Sequence, residues 1–154
     1  MIEHDVYTRL KDIGIELPTT GAPAAAYVMS AQSGNVVYLS GHIAKQDGKV
    51  WAGKLGETLT TEEGYVAARS TAIDLLATLH AHLGDLNRVT RIVKVLSLVN
   101  STSGFTEQHL VTNGASELLA EVFGDKGKHA RSAFGVTQIP LGACVEIEMT
   151  VEVS

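Results

Sequence analysis

The sequence predicts an α+β protein in which helices cover one face of a sheet. Three observations carry this. Two long stretches, Val66–Leu83 and Leu110–Val122, place apolar residues at helical spacing, and each is followed by a glycine, Gly84 or Gly124. Three other stretches, Val36–Ser40, Val89–Val99 and Val145–Val153, are rich in β-branched residues or alternate apolar with polar. Their order reads helix, two or three strands, helix, strand, helix, two strands, so helices return between strands.

Each element has a local cause. Val6, Leu10 and Ile13 recur at helical spacing and predict a short first helix, about residues 3–13, stopping at Gly14 or by Pro18. Ala24–Gln32 and Val36–Ser40 read as strands joined by Ser33-Gly34-Asn35, which has hairpin chemistry. Asp47-Gly48 marks a second turn. Thr60 and Glu63 form a capping box ahead of the long helix through Val66, Ala67, Ile73, Leu76, Leu79 and Leu83. Val89–Val99 reads as a strand, and Thr106–Phe123 as a second amphipathic helix through Leu110, Leu118, Leu119 and Val122. The chain closes on two strands that read as a hairpin about Ile139-Pro140-Leu141-Gly142.

Composition narrows the function. An apolar share of 45% against 19% charged residues gives a folded chain rather than a disordered one. At 154 residues, one domain is expected over 1–154, with no repeat or linker to divide it. A net charge of -5 argues against nonspecific nucleic-acid binding. No apolar run approaches the roughly eighteen residues of a membrane span. One cysteine excludes an intrachain disulfide, and the acidic start Met1-Ile2-Glu3-His4-Asp5 lacks signal-peptide character; a cytoplasmic protein is expected.

Several motifs fail on inspection. Gly48–Lys54 falls one residue short of a phosphate-binding loop, with Leu55 where a hydroxyl would hold magnesium. His80 and His82 lie two apart on a helix and cannot chelate one ion together. Cys144, flanked by apolar residues, reads as a buried thiol. Asn100-Ser101-Thr102 matches a glycosylation sequon only by accident.

Arg131 and Glu146 stand apart from these, because a guanidinium and a carboxylate in apolar strands are costly to bury without partners. A hairpin turning at Leu141 would put Arg131 opposite Val151, roughly 16 Å along the strand from Glu146 and on the other sheet face. Within one subunit the two do not meet. Either they are unrelated groups, or they share a site between subunits.

The anchors Ala26-Tyr27-Val28, Gly34-Asn35, Leu39-Ser40-Gly41, Gly84-Asp85-Leu86-Asn87-Arg88-Val89, Asn113, Ala130-Arg131-Ser132, Ile139-Pro140 and Val145-Glu146-Ile147-Glu148 occur here in a telling order and spacing. With them the chain resembles, from about Pro23 to Val153, the Rid family of reactive-intermediate deaminases, also called YjgF-like or L-PSP endoribonuclease-like proteins. The resemblance implies a chorismate-mutase-like fold with two helices on one sheet face, assembled as a homotrimer with clefts between subunits. It implies hydrolysis of 2-imino or enamino acids to 2-oxo acids and ammonia, without metal or organic cofactor. Arg131 would clamp the substrate carboxylate, Glu146 would handle the water's proton, and Tyr27 would complete the catalytic set. Ser40, Gly41, Asn113 and Ala133 would line the pocket. This chain has Ala133 where the best-known deaminases carry cysteine and Met29 where they carry glutamine, and its first helix is absent from compact members, which marks a divergent branch. A second reading is a noncatalytic trimer that binds a small carboxylate or a partner protein. Ribonuclease activity finds no support in this acidic chain, which has no basic-aromatic groove.

Overall fold

The computed structural model describes residues 5–154. The elements run α1 (Val6–Asp12), β1 (Ser30–Ser33), β2 (Val36–Ile43), β3 (Lys45–Gln46), β4 (Lys49–Val50), α2 (Thr61–Leu83), β5 (Val89–Asn100), α3 (Gln108–Phe123), β6 (Ala130–Val136) and β7 (Val145–Val153). The part of the first helix expected at residues 3–4 lies outside the described residues.

The two long helices form for the reasons the sequence offered. The Thr60 hydroxyl accepts the Glu63 amide and the Glu63 carboxylate accepts the Thr60 amide, so α2 starts on a complete capping box and ends at left-handed Gly84. Its buried stripe is shifted from the expected one. Ala67, Ala68, Ala72, Leu75, Leu76, Leu79 and Leu83 face inward, whereas Val66 is exposed. In α3 the inward residues are Val111, Ala115, Leu118, Leu119 and Val122, with Leu110 outside. Each buried leucine contributes about 1.5–3 kcal/mol relative to exposure.

Strand order is β1-β2-β7-β5-β6, with β3 and β4 forming a separate hairpin across Asp47-Gly48. The expected terminal hairpin does not form. β6 pairs in parallel with β5, Arg131 opposite Val95, while β7 inserts antiparallel between β2 and β5. The expected tight turn does form, with the Gly142 amide donating to the Ile139 carbonyl at 2.9 Å and Leu141 exposed, but the strands on its two sides do not pair. Ile139, Ala143 and Cys144 are buried, and the Asn100 side chain donates to the Gln138 Oε1 and the Ala143 carbonyl at 2.8 and 3.2 Å. The same buried amide accepts Lys54 Nζ at 2.7 Å, which leaves the sequon asparagine fully engaged inside the protein.

A second correction concerns the first strand, which begins at Ser30 rather than Ala24. The ladder on β2 ends at Ser30 opposite Leu39, and Ala24-Ala25-Ala26 offers no β-branched side chain to extend it. Residues 24–27 bend instead.

Alternation along the strands then assigns two faces. Val37, Leu39, Val95, Val99, Ile147, Met149 and Val151 are buried beneath α2 and α3. The opposite face carries no helix, and there Tyr38 is 53% and Phe134 47% exposed beside Leu96, Leu98, Glu146 and Glu148. No helix among the described residues is long and apolar enough to cross a membrane.

Candidate functional site

The residues singled out from the sequence fall into two groups at the two sides of the sheet. The first lies on edge strand β6. Arg131 shares a row with buried Val95 and Met149, so its side chain rises on the helix-covered face, where α3 meets it. Nη1 donates to Asn113 Oδ1 at 2.8 Å and to Ser116 Oγ at 3.2 Å; Nη2 donates to the His109 carbonyl at 3.2 Å. All three acceptors are neutral, and the ion pairs among the described residues lie elsewhere, Arg69 with Glu121 and Lys128 with Asp125. A half-buried guanidinium without a carboxylate is unusual, and burial shifts its pKa downward. Three bonds leave two of its five donors, Nε–H and one hydrogen on Nη2. Those two nitrogens share the edge of the fork that a carboxylate takes side-on. Ala133 follows two residues on, on the same face, opposite Ser97.

The second group lies on the open face. Leu98 pairs with both Glu146 and Phe134, three residues along from the Arg131 row. Glu146 is therefore two strands over from Arg131, roughly 10 Å along the strand, and on the other face. The expectation that the pair does not meet within one chain holds, although the hairpin geometry behind it does not.

Glu146 and Glu148 border a small cavity of about 230 Å³ with Gly41, Leu96 and Leu98. Burial, and secondarily the Glu148 charge, hold the Glu146 carboxyl above its ordinary pKa. The β2–β7 register slips between Leu39 and His42, so Ser40 and Gly41 face one residue, Glu148; this is a bulge. It brings the Gly41 backbone onto the carboxylate. A Cβ at position 41 would stand 2.6 Å from Glu146 Oε1, so a larger residue there would push the carboxylate out of this position.

Two further contacts brace the bulge. Ser40 Oγ donates to the Val28 carbonyl at 2.6 Å, tying Ser40 to the segment that bears exposed Tyr27. Buried His42 spans the Ser40 carbonyl at 2.6 Å and Thr78 Oγ1 at 2.7 Å. Tyr27, Ser40, Gly41 and Glu146 thus belong to the β1-β2-β7 side, and Arg131, Asn113 and Ala133 to the β6 edge.

Other sequence expectations resolve simply. Cys144 is buried and its thiol is pushed up to about 11 by that burial. His80 bonds the Tyr7 hydroxyl, while His82 meets Ser30 and Gln32. Sequence reasoning did not pick out Ser116, His109, His129, His42, Glu148 or the Leu96–Leu98 pair as site residues. The alternation around Glu146 signalled Glu148; Asn113 came in through the resemblance alone, and nothing local signalled Ser116 or His109, which reach Arg131 only through the fold.

Comparison with known proteins bears on the fold and the family. Residues 7–153 match the model of the family described as YjgF/chorismate mutase-like, putative endoribonuclease. The chain is 46% identical over 151 residues to protein TCP17 of Trypanosoma cruzi, covering 97% of this chain and 94% of that protein. Among solved structures it is similar to Atu1372 of Agrobacterium tumefaciens, a protein of unknown function, at 40% identity and TM-score 0.90, covering 97% of this chain and 92% of the other. It is also similar to a putative endoribonuclease of Shewanella oneidensis, at 29% identity and TM-score 0.94, covering 97% and 100%. With its family model matched over residues 7–153, the chain belongs to the YjgF/chorismate mutase-like family.

Proposed function

We propose that this protein hydrolyses small 2-imino acids to 2-oxo acids and ammonia, in clefts between the subunits of a homotrimer. One observation carries the reading: Arg131 is a half-buried guanidinium held by three neutral acceptors, with a free Nε–Nη2 edge and no carboxylate partner among the described residues. A substrate carboxylate supplies the missing charge and takes the planar fork side-on.

The chemistry asks little more. A protonated imine is already electrophilic, so no metal or organic cofactor is required. Glu146 accepts a proton from water as the oxygen attacks the C=N carbon. The carbinolamine nitrogen then takes up that proton, the C–N bond breaks as Glu146 accepts the hydroxyl proton, and the 2-oxo acid and ammonia leave. Gly41, lying against the carboxylate, admits the substrate where a side chain would not fit. Tyr27 closes the cleft, with Ser40 holding its segment.

Because the two groups occupy opposite sides and faces of one sheet, a shared cleft takes the β6 edge of one copy and the β2–β7 face of another. The helix-free sheet face, with Tyr38, Leu96, Leu98 and Phe134 uncovered, supports such assembly. A noncatalytic trimer that binds a small carboxylate would need Arg131 but not Glu146, and Glu146→Gln separates the two readings. The variant is expected to keep carboxylate affinity and to lose turnover by on the order of 10²–10⁴-fold. Wild-type turnover is expected to fall toward acid with a midpoint above the ordinary glutamate range, because only the ionised carboxylate accepts the proton and burial raises its pKa. Ammonia release across a pH series checks both. Wild-type turnover retained by Glu146→Gln would remove the general base from the account.

A further inference from the structure

Arg131 is oriented by a chain of hydrogen bonds that extends past its own contacts. His129, two residues earlier on the approach to β6, has Nδ1 at 2.6 Å from the Gly127 carbonyl and Nε2 at 2.9 Å from Ser116 Oγ. A carbonyl only accepts, so Nδ1 carries the hydrogen. In the neutral imidazole Nε2 is then an acceptor, and the Ser116 hydroxyl must donate to it. The oxygen lone pairs of Ser116 are thereby turned toward Arg131 Nη1, which donates to them at 3.2 Å. Every bond runs one way, from Arg131 to Ser116 to His129 to Gly127.

We infer that Ser116 and His129 are positioning residues, which fix the rotation of the Arg131 guanidinium and so aim its free Nε–Nη2 edge at an incoming carboxylate. This rests on the reading of Arg131 as the carboxylate clamp. Asn113 alone leaves the fork one strong tether on Nη1; the serine fills the second Nη1 donor and removes the freedom to turn. Without the imidazole, the serine hydroxyl is free to bond the carbonyl four residues back in α3 and to offer Arg131 a poorly aimed lone pair.

The arrangement also links protonation to binding. Arg131 is the formal charge that bears on His129; Ser116 of α3 and the Gly127 carbonyl are neutral, and Lys94 of β5 turns to Ser132. Burial first, and Arg131 second, hold the imidazole below its ordinary pKa, which keeps it neutral and the chain directed near neutrality. Protonation would put a hydrogen on Nε2 as well, so the Ser116 hydroxyl could no longer donate to it and its lone pairs would turn from Arg131 toward the imidazolium; the relay works only with His129 neutral.

The test uses pyruvate as the probe, with calorimetry for affinity and nitrogen-resolved NMR for His129, on wild type, Ser116→Ala, Ser116→Thr, His129→Gln and Arg131→Ala. Ser116→Ala and His129→Gln are expected to weaken pyruvate about fivefold, the worth of one neutral hydrogen bond. Ser116→Thr, which keeps the hydroxyl, is expected to bind as wild type, and the NMR to show wild-type His129 neutral with its hydrogen on Nδ1. Loss of binding in Arg131→Ala with wild-type affinity in Ser116→Ala and His129→Gln would overturn the relay and leave the clamp standing. Pyruvate binding that survives Arg131→Ala, or its absence from the wild type, would overturn both.

Discussion

Arg131→Ala is expected to lower 2-imino-acid turnover by on the order of 10²–10⁴-fold while leaving the fold intact. Two charge-assisted hydrogen bonds to the substrate carboxylate are lost, each worth about 1.5–3 kcal/mol, and each 1.4 kcal/mol is tenfold in rate. The fold survives because the side chain lies at a sheet edge outside the apolar core, and its neutral partners, Asn113, Ser116 and the His109 carbonyl, border solvent-accessible space. Arg131→Lys keeps the charge but not the planar fork, and is expected to recover only a small part of the loss. Ammonia release from imines generated in situ by an amino-acid oxidase, with a thermal melt of each variant, checks both statements. Wild-type turnover in a folded Arg131→Ala variant would refute the clamp.

The second large effect is on stability. Gly114 sits where α3 presses against α2, and a Cβ there would fall inside contact distance of the Tyr65 carbonyl and 3.1 Å from the Arg69 amide nitrogen. Both neighbours are helical backbone, which cannot rotate aside. Helix propensity alone argues that Gly114→Ala stabilises by about 1 kcal/mol. The steric argument says the opposite and wins, because overpacking against fixed atoms costs about 3 kcal/mol or more. The melting temperature of Gly114→Ala is expected to fall by roughly 6–12 °C. Arg69–Glu121 and Tyr65–Glu117 bonds flank the same crossing and would be pulled apart with it. Asn113 is the adjacent residue, so carboxylate affinity should weaken alongside stability. An unchanged or raised melting temperature would show that the helices yield at no cost.

What the sequence revealed, and what it did not, divides by range. The capping box at Thr60 and Glu63, the stops at Gly84 and Gly124 and the turn at Asp47-Gly48 are local chemistry, and the structure follows them. Pairing is not local. Alternation in Val145–Val153 tells which residues share a face but not which strands lie alongside, so β7 passes for a hairpin partner of β6 when it is the middle strand. The buried stripe of α2 drifted from the expected one because it includes Ala67, Ala68 and Ala72, whose small size gives weak periodicity. In the candidate site, Arg131 and Glu146 stood out as charges in apolar strands. The acceptors that hold Arg131 are ordinary helix residues until α3 folds over β6, and Gly41 shows its purpose only when the bulge brings Glu146 against it.

The central claim is that Arg131 from one copy and Glu146 from another complete a single site. Complementation tests it most directly. Arg131→Ala and Glu146→Gln variants, each inactive alone, are mixed, unfolded and refolded together, and ammonia release from 2-imino acids is measured. If the cleft lies between copies, some clefts in mixed assemblies receive both native residues, and the mixture is expected to regain activity that neither parent has. A mixture no more active than its parents, under conditions where refolded wild type recovers its turnover, would place both residues in separate roles and contradict the account.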